Sequence, residues 1–390
     1  MTQPDNSTAM TQQHAPHGHR RTQPVGRPTW AEIHLDHLTH NFRVIKERVG
    51  AHTKILAAVK ADAYGHDAVL VARHLETLGC DWFGVALPEE GVALRQAGVT
   101  RPILCLGGFY QGQAPLLLDF KLTPDIYSEW AIEQLDAAAR ARDMVASYHL
   151  KVDTGMGRLG VPMDQLASFL DHLRRYSHVR MDGVLTHLAS ANEPRQDAFT
   201  RQQMERFEHA LAMIRAAGHQ PREIHAANSA AVFRHPQTWG TMVRPGGALY
   251  GLYSPALVLK PVMSLHSQII LLKRVPAGSP LGYGGTFVTE RPSQIATLPI
   301  GYQDGYMRAF SNTARVIIRG RYAPVVGRVS MDLTLIDVTD VPDVALGDEV
   351  VLMGQRDGLS VTAAELARKA RTISYEITCG ISRRVTRVVV

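Results

Sequence analysis

One pattern constrains this chain more than any other. Between Lys54 and Tyr250, short apolar runs alternate with amphipathic stretches, eight of each kind of unit in succession. The runs are Lys54–Lys60, Asp81–Ala86, Pro102–Leu106, Leu122–Ile126, Ser147–Val152, Met181–Thr186, Glu223–Ala226 and Met242–Tyr250. The stretches between them include Ala68–Leu78, Pro88–Ala97, Glu129–Arg142 and Thr200–Ala217. In the last, Met204, Phe207, Leu211 and Ile214 recur at three- and four-residue steps and share one helical face. Strands separated by helices pair in parallel, because a parallel connection needs a crossover. Eight such units over about 220 residues predict a (β/α)8 barrel. A doubly wound sheet has the same local pattern, and the count of eight favours the barrel.

After about Pro261 the helical spacing largely stops. Gln268–Val275, Gln294–Leu298, Ala314–Ile318, Leu333–Val338 and Glu349–Met353 are short runs between Gly, Pro and Asp turns, with one helical stretch, Ala363–Lys369. This predicts a second, mostly β domain. At the other end, residues 1–28 are rich in Gln, Pro, His and Thr and carry no apolar h-region. They read as a disordered tail and not as a secretory signal. The expected organisation is therefore an α/β chain with a tail at 1–28, a TIM barrel at 29–262 and a β domain at 263–390. No apolar run is long enough for a membrane span. Cys80, Cys105 and Cys379 lie far apart, which excludes a disulfide scaffold or a cysteine zinc site and fits a reducing cytoplasm. No metal site is expected.

Barrel chemistry sits where the strands end. The first run ends in Lys60, and a lysine closing a buried run must give up hydration. It has either reached the solvent edge or serves as a Schiff-base amine, whose pKa burial would lower. The fifth run leads into Gly155, Gly157 and Gly160, which satisfy G-x-G-x-x-G. A dinucleotide fingerprint normally follows a first strand, so a glycine-rich loop presenting Arg158 is as natural. The last three runs lead to His187, to Asn228-Ser229, and to Arg244 with Gly246-Gly247. Singly these read as a core histidine, a helix cap and a turn. Together, a hydroxyl and close-approach backbone after strands seven and eight form a phosphate cup. No G-x-x-x-x-G-K-[ST] is present. A strand-end lysine with a phosphate cup points to pyridoxal phosphate.

The motifs then match a family. The chain from about Thr29 to Val390 resembles the alanine racemases, in Ala58 to His66 (AVKADAYGH), Leu150 to Gly160 (LKVDTGMGRLG), Ala227 to Ala231 and Val243 to Gly246. The match continues, in the family's order, through Tyr283 to Thr286, Pro299 to Gly305 (PIGYQDG), Gly327 to Asp332 (GRVSMD) and Tyr375-Glu376. The resemblance implies a fold-type III pyridoxal-phosphate enzyme working as a head-to-tail homodimer. It implies that Lys60 holds the cofactor as a Schiff base. Tyr64, Asn228, Ser229, Gly246, Gly247 and Tyr375 would bind the phosphate region. Arg244 would face the pyridine nitrogen, and Arg158 the ring oxygen and the substrate carboxylate. Tyr283 would be the second base, brought by the partner subunit with Met331, Asp332 and the gate-forming Tyr302. His187 would support Tyr283 in a chain with Arg244. Lys151 matches a lysine that is carbamylated in some members.

The implied activity is interconversion of L- and D-alanine, with D-alanine used for peptidoglycan. Alternatives are a broader racemase that also takes serine, a related barrel decarboxylase, a non-enzymatic pyridoxal-phosphate barrel, and a dinucleotide oxidoreductase. The decarboxylases rely on an acidic residue at the pyridine nitrogen, where this chain has Arg244. The non-enzymatic barrel lacks the second domain and Tyr283. The net charge of +6 is weak evidence for nucleic acid. Lys60, Lys151, Arg158 and Arg244 have local partners in an anionic coenzyme and a zwitterionic substrate, and no basic groove with interleaved aromatics is present.

Overall fold

The computed structural model describes residues 26–253 and 258–390, so the reading of a disordered tail lies outside the described residues up to residue 25. Eight parallel strands form the predicted barrel: Lys54–Ala58, Trp82–Val85, Ile103–Cys105, Leu122–Ile126, Ala146–Asp153, Val179–Leu185, Glu223–His225 and Met242–Val243. Strand eight pairs with strand one, Met242 opposite Lys54. Between strands seven and eight the ring is nearly closed by backbone bonds, Thr241 N–H to Ile224 O and Arg244 N–H to Ala227 O, both 2.9 Å. The strand period of two separates the faces. Leu56, Leu104 and Met242 pack together inside, whereas Ile55, Ala57, Phe83 and Ile103 join the helix residues Phe42, Ile45, Val71 and Leu75 outside.

The second unit is mostly β, as expected. Its main sheet runs Arg321–Pro324, Arg315–Ile318, Glu349–Arg356, Met263–Gln268, Thr29–Ile33, Thr386–Val389. A three-stranded sheet (Leu271–Val275, Ser293–Leu298, Thr334–Asp337) lies beside it. Two details differ from the sequence reading. Thr29–Ile33, placed in the barrel range, is a strand of this sheet, antiparallel to Met263–Gln268 and parallel to Thr386–Val389. All five of its residues are buried, so its edges as well as its faces need partners, and these lie at the far end of the chain. A second helix, Ser374–Cys379, follows Ala363–Ala370 and packs on the barrel segment Lys60–Gly65.

That packing positions the site. A Cβ on Gly65 would collide with the carbonyl of Thr378. The Arg387 guanidinium donates to Gly65 O at 3.0 and 3.2 Å and to Ile381 O at 2.6 Å, which ties the strand-one loop to the second unit.

Candidate active site

Lys60 opens the segment that leaves strand one. Ala61, Asp62, Ala63 and Tyr64 all have φ between +53° and +56° with ψ between +35° and +49°, a left-handed turn built without glycine. Each such residue costs about 1–2 kcal/mol. The turn is held by its surroundings. Glu90 accepts from the Ala61 N–H at 2.7 Å, and Asp62 accepts from the Ala68 N–H at 2.9 Å. The Lys60 amine is held below the ordinary lysine range, first by burial and then by the Arg158 and Lys151 cations, against the pull of Glu90 and Cys379.

Arg244 is buried at the end of strand eight. One terminal nitrogen donates to His225 Nδ1 at 2.9 Å and His225 O at 2.7 Å. The other donates to Thr186 O at 2.7 Å and Ala226 O at 3.1 Å, and lies 3.5 Å from His187 Nδ1. Guanidinium only donates, so His225 Nδ1 must accept and its Nε2 carries the proton toward His149 Nδ1, 2.9 Å away. His225, His149 and His187 are therefore neutral, and burial and the Arg244 charge hold His225 and His187 well below the usual histidine range. Four Arg244 N–H groups are thus committed. The fifth, on Nε, has no protein partner among the described residues.

The residues read from sequence as a phosphate cup lie together in the structure. Ser229 Oγ accepts from the Gly246 N–H at 2.9 Å and the Ala248 N–H at 3.1 Å, so these amides are used within the cup. Asn228 is a helix cap, accepting from the Ala231 N–H at 3.2 Å and donating to Leu188 O at 3.1 Å. A Cβ on Gly246 would meet the Tyr64 hydroxyl, and one on Gly247 the Tyr375 hydroxyl, so the glycines let both phenols reach the cup. The two rings lie 5.7 Å apart, and burial raises both phenol pKa values and keeps them proton donors.

Lys151, on strand five, donates to Asp125 Oδ2 at 3.1 Å and Leu106 O at 2.9 Å. Arg158 is exposed on the glycine loop, whose Gly155 and Gly157 amides bond to Asp153, and Gly160 leads into a two-residue strand, Val161–Pro162. No helix follows directly, so the glycines shape a loop for Arg158 and not a dinucleotide turn. Tyr283, Tyr302 and Met331 are 72%, 41% and 51% exposed on the second unit. Tyr302 and Met331 share a loop pair, with the Tyr302 N–H on Ser330 O at 3.0 Å and the Gln303 N–H on Met331 O at 3.1 Å; Asp332 is ion-paired with Arg384 at 2.7 Å. The sequence reading missed Asp125, His149 and His225. Each is a polar residue inside an apolar run, and that was the available signal. One cluster of potential metal ligands occurs among the described residues, His34, Asp36 and His37, with ligand atoms within 4.8 Å of one another and the two imidazoles stacked at 4.9 Å and 22°.

Residues 33–254 match the family model described as alanine racemase, N-terminal domain, and residues 262–389 that described as alanine racemase, C-terminal domain. The chain is 45% identical to the alanine racemase of Halothermothrix orenii, over 93% of this chain and 97% of that one. It is 47% identical to that of Symbiobacterium thermophilum, with the same coverage. Among solved structures, an alanine racemase of Clostridium difficile 630 superposes with a TM-score of 0.88 at 36% identity, covering 94% of this chain and 97% of that chain. The Bartonella henselae alanine racemase with covalently bound pyridoxal phosphate superposes with a TM-score of 0.84 at 29% identity, covering 94% and 100%.

Proposed function

The chain belongs to the alanine racemase family and is a racemase of alanine, and from that premise we propose that it works by two opposed bases, Lys60 and Tyr283 of the partner subunit, around pyridoxal phosphate. The observation that carries this reading is a set of donors at the barrel mouth without protein partners among the described residues: Lys60 Nζ, Arg244 Nε and the hydroxyls of Tyr64 and Tyr375. They match an aldehyde, a ring nitrogen and a phosphate in turn. When bound, pyridoxal phosphate supplies the electron sink for the pair released at the substrate Cα. Lys60 would hold it and then take or return the α-proton on one face, helped by its lowered pKa. Tyr283 of the partner subunit would serve the other face.

Arg158 would bind the substrate carboxylate and the ring oxygen. Arg244 would donate its free Nε–H to the ring nitrogen. A guanidinium does not readily surrender a proton, so Arg244 would offer that nitrogen a hydrogen bond without protonating it. Tyr302, Met331 and Tyr375 would crowd the side-chain pocket and favour alanine, although a single added hydroxyl, as in serine, is discriminated only weakly by such a pocket. A homodimer would bring the exposed Tyr283, Tyr302 and Met331 to the partner's mouth. No helix among the described residues is long and apolar enough to cross a membrane. The free cysteines Cys80, Cys105 and Cys379 support a cytoplasmic site of action, with D-alanine for peptidoglycan as the use.

The test is purified protein with L-alanine in D2O, following α-deuterium and optical rotation, with borohydride trapping mapped by peptide mass. Racemisation with deuterium uptake and a label on Lys60 is expected. Exchange without racemisation, or a label elsewhere, overturns the two-base assignment.

A further inference from the structure

We propose that Asp125 is a positioning residue of this site, a buried carboxylate that keeps Lys151 an unmodified ammonium whose charge reaches the reactive amine of Lys60. The proposal rests on Lys60 being that amine. Asp125 stands on strand four, opposite His149 of strand five, and is fully buried; Lys151, two residues on from His149, is 5% exposed. Their charged atoms are 3.1 Å apart, and the ammonium's further bond, 2.9 Å, goes to the Leu106 carbonyl at the end of strand three. Neither charge is tolerable alone. Removing one partner of such a pair leaves an uncompensated buried ion.

Lys60 feels the cations of Arg158 and Lys151 and, in the opposite sense, Glu90 and Cys379. At Asp125 the cations of Lys151 and Arg244 draw the carboxyl back down against the upward push of burial, to about 6. The Lys151 ammonium is thus the member of the pair whose charge acts on Lys60. The Asp125 Oδ1 atom is buried without a hydrogen-bond partner, so its second oxygen is not spent on holding up the strand. N-Carboxylation of Lys151 would require a neutral amine to form an N–C bond to CO2 and release a proton, leaving an anion. That anion would lie against the Asp125 carboxylate and would replace a cation near Lys60 with a negative charge. The ion pair opposes both steps.

Two measurements on the full chain test this. In 13C-labelled bicarbonate, the wild-type protein should show no carbamate carbon by NMR; a carbamate signal that disappears in Lys151→Met overturns the proposal. The second is the pH dependence of Lys60 acetylation by acetic anhydride in cofactor-free protein, mapped by peptide mass. In Asp125→Asn the unpaired Lys151 sheds its proton, Lys60 loses a cationic neighbour, and its midpoint should rise by at least about 0.5 pH unit. Asp125→Glu should return the midpoint toward wild type. An unmoved or lowered midpoint in Asp125→Asn, or no rescue by Asp125→Glu, overturns the proposal, because a merely structural carboxylate would alter yield and not this titration. Should Asp125→Asn fail to fold, Lys151→Met must give the same upward shift, and its absence is equally decisive. Failure of the underlying reading is seen separately, as wild-type protein that does not racemise alanine.

Discussion

His187 shows how one side chain's protonation carries over to its neighbours. The Arg244 cation 3.5 Å from Nδ1 favours a lone pair there, which would leave the proton on Nε2 to serve a phenolate. A donor lowers the pKa of the group it serves, so removing it raises that pKa. On the two-base proposal, His187→Leu should therefore move the rising limb of the L-to-D rate profile to higher pH by roughly one unit. A profile that keeps its midpoint would separate His187 from Tyr283. Residues like Lys60, Arg244 and Ser229 were legible in sequence because strand ends in a barrel face the mouth. Asp125 and His225 were not, because one polar residue within LTPDI or EIHAA gives no hint of which neighbouring strand will answer it.

At the scale of elements, the left-handed turn is the least readable feature. KADAYG has the composition of an ordinary right-handed helix, and propensity alone assigns it one. Its handedness comes from outside, from Glu90, from the Thr378 carbonyl that only Gly65 admits, and from Arg387. Gly65→Ala, at φ +85°, should cost about 2–4 kcal/mol in urea unfolding and weaken cofactor binding at least about tenfold. Gly50→Ala has a similar φ of +78° and no atom within 4 Å of its Cβ. It should cost about 1 kcal/mol and leave cofactor titration unchanged. Equal effects on cofactor binding would detach the turn from the site. The barrel strands, by contrast, were legible because each is an apolar run facing helices on one side and a packed interior on the other. Thr29–Ile33 has the same fully buried look, and local pattern cannot say which of two sheets will take it.

For the whole molecule, the two-base proposal has Tyr283, exposed on the second unit, serve the half-buried Lys60 of another copy. Lys60→Ala and Tyr283→Phe proteins should each be nearly inactive. Mixed and re-equilibrated in equal amounts, half of the dimers would be hybrids with one intact site, and about a quarter of wild-type activity should return. No recovery, with exchange verified by mass, would place both bases on one protomer. A final consequence concerns the order in which the chain takes shape during synthesis. Trp30 lies opposite Thr386 in the completed sheet, so an early strand waits for one of the last to be made. The barrel's neighbour-to-neighbour strands can assemble as they emerge, while Thr29–Ile33 waits for Met263–Gln268 on one edge and for Thr386–Val389 on the other. The turn at Lys60 has braces of both kinds: Glu90 and Asp62 from within the barrel, and Thr378 and Arg387 from far along the chain. The second set becomes available only after all eight barrel strands have been made.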